Sequence, residues 1–309
     1  MKSAVTLCLF LLSVLTSEAQ NYRDEIITKE FIPAMRSTRT MTPENYQRIK
    51  GLLEKLDHDY GYEADWHYKL LNWSFYHSDI AHFKSHLEIL TEQYGLDASH
   101  FSGHEYFYEA IFEGELKAWF KPMYLTKSAI WHDKNFSKLS DIRKLKELIA
   151  REEAVSNHLI KVSSDDSFTS EASVALMKIR GEVYFSLLTE LYKICRKYDV
   201  FPTGKNFGLL HGDFNRLIIN NFSTTDNLER TWLLLEPFFK KAYLQNQLDY
   251  SFYRSYDIYN YMHFDYQRFG LIERKDVPIV PSEDEDLTQK IPVKNAFETE
   301  KVRKEMGWP

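Results

Sequence analysis

Apolar residues recur every three or four positions along most of the chain, the spacing of helices that bury one face. Tyr46, Ile49, Leu52, Leu53 and Leu56 write the first clear stripe. Thr42-Pro43-Glu44 ahead of it supplies a capping hydroxyl, a first-turn proline and an acid at the positive end of the helix dipole. Trp66, Leu70, Trp73 and Tyr76 make a second stripe, and Ile80, Phe83, Leu87, Leu90 and Tyr94 a third. The polar His77-Ser78-Asp79 between them reads as a turn, so the pair is predicted to be an αα-hairpin.

Helical spacing continues from Tyr106 to Trp131, with breaks or kinks expected at Gly114 and Pro122, and from Ser140 to Val162. After the polar stretch Ser163–Ser170, Leu176, Ile179, Val183, Leu187, Leu191, Ile194 and Tyr198 predict a long helix, ended by Phe201-Pro202-Thr203-Gly204. A short helix is expected over Phe214 to Phe222. Asp226 with Glu229 reads as a capping pair for a helix through Trp232, Leu235, Phe239 and Tyr243, kinked at Pro237. Asp249 is predicted to cap a last long helix lined by Tyr253, Tyr256 and Tyr259. Strand-type alternation is almost missing.

The fold class is therefore all-α: antiparallel helical hairpins, a repeat-like N-terminal half packed on a second helical module, and an irregular tail. The divisions expected are an N-terminal arm at 20–41, extended or briefly helical, a hairpin region at 42–136, and a second module at 137–274. The tail, 275–309, holds Pro278, Pro281 and Pro292 around the acid cluster Glu283 to Asp286, then a short helix from Ala296 to Met306. Trp308 is expected to dock.

The chain starts with Lys2, an apolar run from Ala4 to Leu15, and small residues at Ser17 and Ala19. This is the pattern of a signal peptide, here 1–19, cut after Ala19. A membrane anchor needs roughly 20 apolar residues, so no span is expected after cleavage. The expected location is periplasmic or extracellular. Loss of Lys2 and Glu18 leaves the formal net charge at −6, which lacks the basic face that nucleic acid demands. Of two cysteines only Cys195 would survive processing, so no internal disulfide is available to the mature chain.

The hairpin from Trp66 to Ser99 resembles a tetratricopeptide repeat in rhythm and in its length of ~34 residues. Most of that repeat's small residues are missing. The second half carries Glu152-Glu153-Ala154-Val155, a turn at Tyr198-Asp199-Val200-Phe201-Pro202, Leu234-Leu235-Glu236-Pro237-Phe238-Phe239 and Phe269-Gly270. In rhythm, residues 145–309 resemble an uncharacterised bacterial family of domains of unknown function. Where that family tends to carry Gln-His, this chain has Asn220-Asn221, and Leu271-Ile272 replace the polar residues after its Tyr-Gly turn. The resemblance implies no activity.

Several groups bear on chemistry. His211-Gly212-Asp213-Phe214 resembles the catalytic loop of kinase-like phosphotransferases, but Ile218 stands where the metal-holding Asn belongs and no Gly-rich loop precedes it. Eight of the eleven histidines fall between His58 and His132, which concentrates any metal chemistry there. His82 and His86, four apart on one predicted helix with Asp79 a turn earlier, present two imidazoles and a carboxylate to one ion. They also flank the stripe of Phe83 and Leu87, where packing alone places an imidazole. His100 and His104 with Glu105 form a similar set. Tyr253, Tyr256 and Tyr259 with Arg254 are candidates to line a groove for sugar or peptide.

No catalytic constellation is complete and no cofactor is implied. The favoured reading is a binding module for a protein, peptide or glycan. The alternative is a hydrolase or lyase with a His/carboxylate site between the halves, using His211, Asp213 and Asp257.

Overall fold

The computed structural model describes Arg23 and residues 25–36, 41–163, 170–210, 212–278 and 290–308. The leader, the acid cluster and His211 lie outside the described residues. Within them the chain is helical, and the only β-type pairing is one isolated bridge between Gln267 and Val293. No described helix is long and apolar enough to cross a membrane.

In chain order the helices are α1 (Ile32–Arg36), α2 (Pro43–Tyr60), α3 (Ala64–Tyr76), α4 (Ile80–Tyr94), α5 (Tyr108–Phe112), α6 (Lys117–Asn135) and α7 (Leu139–Ser163). They continue with α8 (Ser170–Tyr198), α9 (Gly204–Phe207), α10 (Asn215–Phe222), α11 (Thr225–Leu244), α12 (Ser251–Phe264) and α13 (Ala296–Met306). The chain forms two compact units. The hairpin unit holds Glu25–Glu147 and Pro202–Asp213; the second holds Leu148–Phe201 and Phe214–Pro309. The first thus extends beyond residue 136, into α7, and takes in a segment expected in the second module.

The hairpin unit follows the hydrophobic stripes closely. Thr42 caps α2 by accepting from the Asn45 N–H at 3.2 Å. The residues expected to form an arm contain a π-helical turn, Ile26–Phe31, leading into α1, with Ile26, Ile27 and Phe31 buried. They join Tyr46, Ile49, Leu53, Leu56 and Leu70 in one core cluster. A second cluster gathers Leu71 of α3, Phe83, Leu87 and Leu90 of α4, Phe107, and Phe120 and Met123 of α6, with Leu209. α6 runs on through Pro122, so the proline does not end it.

In the second unit, Trp232 is packed among Tyr253, Tyr256 and Phe269, with ring centroids 4.4 to 5.2 Å apart. Thr224, not Asp226, precedes α11, and Asp226 sits in its first turn. Tyr250 stands at the start of α12, and Asp249 accepts from the Ser251 N–H at 2.8 Å. The tail is more regular than its prolines suggest. α13 spans the expected residues, and Trp308 is buried with its indole N–H donated to the Tyr243 hydroxyl at 3.0 Å.

Candidate functional site

The hairpin turn sets the site. Asp79 caps α4 through the His82 N–H and also accepts from the Tyr46 hydroxyl (2.9 Å) and Lys50 Nζ (2.8 Å). Burial works to raise the Asp79 pKa, but Lys50, Tyr46 and the His82 N–H together hold it below the usual range. Its oxygens are thus spent on capping and an ion pair, and Asp79 is not one of the groups that converge with His82 and His86.

The third member is His67, one turn before Leu70 and Leu71 on the buried face of α3. Antiparallel packing of α3 on α4 brings Ser74 against His82 and His67 against His86. One nitrogen from each of His67, His82 and His86 lies within 4.8 Å of the others. The rings of His67 and His86 stack at 4.2 Å, and the Tyr62 ring lies nearly parallel to both, 4.3 Å from His67 and 5.7 Å from His86.

Each imidazole has one nitrogen tied to oxygen. His67 Nε2 meets Asp57 Oδ2 at 2.7 Å, His82 Nδ1 meets Ser74 Oγ at 3.0 Å, and His86 Nδ1 meets the Tyr62 hydroxyl at 2.9 Å. A carboxylate only accepts, so His67 donates its Nε2 proton to Asp57. Ser74 donates its single proton to the Leu70 carbonyl at 3.0 Å, so it accepts from His82 Nδ1 and leaves a lone pair on Nε2. His67 Nδ1 and His82 Nε2 are both buried without a hydrogen-bond partner. Burial pushes the His82 pKa down to about 4 and the His86 pKa to about 3, with Lys50 and the neighbouring imidazoles adding to it. The pair is neutral at neutral pH.

The surroundings hold Asp57 in place. Its other oxygen accepts from the Glu63 N–H at 3.0 Å, and Lys205 of α9 donates to Glu63 (2.9 Å) and to the Tyr60 carbonyl (3.0 Å). The Leu209 N–H reaches the Tyr94 carbonyl at 2.8 Å. The segment 202–213 therefore braces the turn before α3 and the end of α4. Sequence reasoning found His82 and His86 and missed His67, Asp57 and Tyr62. The available signal was a histidine on the apolar face of each helix of one predicted hairpin.

The other candidates have structural partners. His100 closes a capping box with Asp97, and Glu105 accepts from the Ser102 and Gly103 N–H groups. Asp257, proposed for catalysis, is buried and accepts from the backbone N–H groups of Arg268, Phe269 and Leu271 at 2.7 to 3.2 Å; it clamps a loop. Asp213 is exposed in the hairpin unit. Tyr253 is buried in the core, Tyr256 is buried with its hydroxyl on Glu229 (2.6 Å), Tyr259 is half-buried, and Arg254 pairs with Asp276 (2.8 Å). The tyrosine groove expected from the sequence is thus largely an interior face. Asn220, at the Gln-His position of the resemblance, is buried and donates to Glu152 at 2.9 Å.

No family model, curated protein or solved structure matches the chain.

Proposed function

We propose that the protein is an exported hydrolase whose centre is the histidine–carboxylate cluster of the hairpin unit. The observation that carries this reading is the 2.7 Å contact between Asp57 and His67, which leaves the second nitrogen of His67 without a partner beside the imidazoles of His82 and His86. A carboxylate on one imidazole nitrogen fixes the tautomer, orients the ring and stabilises the imidazolium that forms when the other nitrogen takes a proton from water. His86 is half-buried, so water and substrate approach from its side. Hydrolysis is favoured over elimination because Lys50, the cation of this cluster, is held by Asp79 and not free to take a developing carbanion's charge.

The test is turnover of chromogenic carboxylic and phosphoric esters by the purified mature chain. Activity should fall on the order of 100-fold or more in His67→Ala, the scale of one general base. Asp57→Asn should lower turnover with little change in substrate binding. Wild-type rates no higher than buffer across both ester classes overturn the reading. Export is tested by N-terminal sequencing of the secreted product, which should begin at Gln20.

A further inference from the structure

We infer that His67, His82 and His86 together hold one divalent metal ion of the zinc class, through Nδ1 of His67 and Nε2 of the other two. The inference concerns the same residues as the hydrolytic reading but does not depend on it; with the ion bound, His67 Nδ1 is a ligand and no longer the base. Two of the three donor atoms are singled out by their surroundings. Asp57 and Ser74 occupy the opposite ring nitrogens, and His67 Nδ1 and His82 Nε2 are buried with no described hydrogen-bond partner. A buried polar nitrogen without a partner is destabilising, and two of them meeting one more imidazole is a costly arrangement for packing alone. A cation satisfies both.

The outer groups follow the pattern of metal-bound histidines, whose second nitrogen is hydrogen-bonded to a carboxylate, hydroxyl or carbonyl. Asp57 serves His67, Ser74 serves His82 and Tyr62 serves His86. Three imidazoles and no converging carboxylate suit zinc, cobalt or nickel, and do not suit calcium or magnesium, which need oxygen. Three protein ligands leave a fourth position for water, the open arrangement of catalytic zinc.

The site must adjust to bind. Zinc bonds of ~2.0–2.1 Å in a tetrahedron put donor nitrogens about 3.3 Å apart, and the three histidines now bring one nitrogen each within 4.8 Å of the others. The parallel His67 and His86 rings, 9° apart in plane, cannot both aim in-plane lone pairs at one ion, so one ring turns. With the ion on Nε2, the His86 ring proton sits on Nδ1 and is donated to the Tyr62 hydroxyl.

Titration of the full mature chain with Zn2+ and, separately, Co2+ tests the inference. One equivalent should bind, and the cobalt form should show the intense visible bands of a four-coordinate site. His86→Ala, on a half-buried side chain that the fold tolerates best, should weaken binding more than about 100-fold, beyond the 10–100-fold cost usual for an outer partner. His82→Ala should do the same, and Tyr62→Phe should shift affinity by about 10-fold with circular dichroism unchanged. Uptake of no stoichiometric metal by wild type, or uptake that His82→Ala and His86→Ala leave intact, overturns the inference. Ester turnover by the metal-free chain, together with no stoichiometric zinc uptake, overturns it while leaving the hydrolytic reading standing. One bound zinc with no turnover does the reverse.

Discussion

Two carboxyls in the second unit, one wholly and one half buried, show how hydrogen bonding decides whether an acid stabilises a fold. Asp257 is wholly buried but receives three backbone N–H groups, although burial still pushes its pKa up to about 6. Asp257→Ala strands those donors and should cost on the order of 3 kcal/mol, at about 1–3 kcal/mol for each unsatisfied buried group; urea denaturation measures it. Glu236 is half-buried on α11 in a cavity of about 650 Å3, and no described group hydrogen-bonds to it. Burial raises its pKa, opposed by Lys240 and Arg268. A carboxyl raised in the folded state favours the protonated form there, so its contribution is greatest in acid and is lost as pH rises through the folded pKa. Glu236→Gln should therefore match wild type in Tm below the usual carboxylate range and exceed it at neutral pH. Equal Tm values at pH 7 would refute the assignment. Cys195 is simpler: burial lifts its thiol to about 12, so thiol reagents should label it only after denaturation.

At the scale of elements, legibility followed locality. The bounds of α3, α4 and α13 were readable from spacing, caps and turn residues, because each signal lies within a few positions of the helix it ends. Helix α1 was not readable as a core element, since its burial depends on Tyr46 and Ile49 of α2 more than ten residues away. The candidate site divides the same way. His82 and His86 are a local i, i+4 pair; His67 and Asp57 join them only once α3 folds back on α4 and the turn after α2 is braced by Lys205. Thr42 and Asp79 separate cap from tertiary anchor. Thr42→Ala removes one capping bond and should cost about 1 kcal/mol. Asp79→Ala removes a cap, the Lys50 pair and the Tyr46 acceptor together, and should cost clearly more in the same denaturation assay. Equal costs would mean that the turn is held by α3–α4 packing alone.

For the whole molecule, the division into two units makes a thermodynamic claim. Each has its own buried set: Phe83, Leu87 and Leu90 in the hairpin unit, Trp232, Tyr253 and Phe269 with Trp308 in the second. Chains of more than one cooperative unit depart from two-state unfolding. Leu87 is fully buried, and Leu87→Ala should remove about 2–5 kcal/mol from the hairpin unit. Trp308→Ala should remove about 3–5 kcal/mol from the second. Calorimetry should then resolve two transitions, with Leu87→Ala lowering one and Trp308→Ala the other. Because a ligand stabilises only the state that binds it, saturating zinc should raise the transition that Leu87→Ala lowers and leave its companion in place. A single transition moved alike by both substitutions would mean that the units unfold as one body. Zinc would then raise that shared Tm, and the metal's address would have to be read from the histidine variants alone.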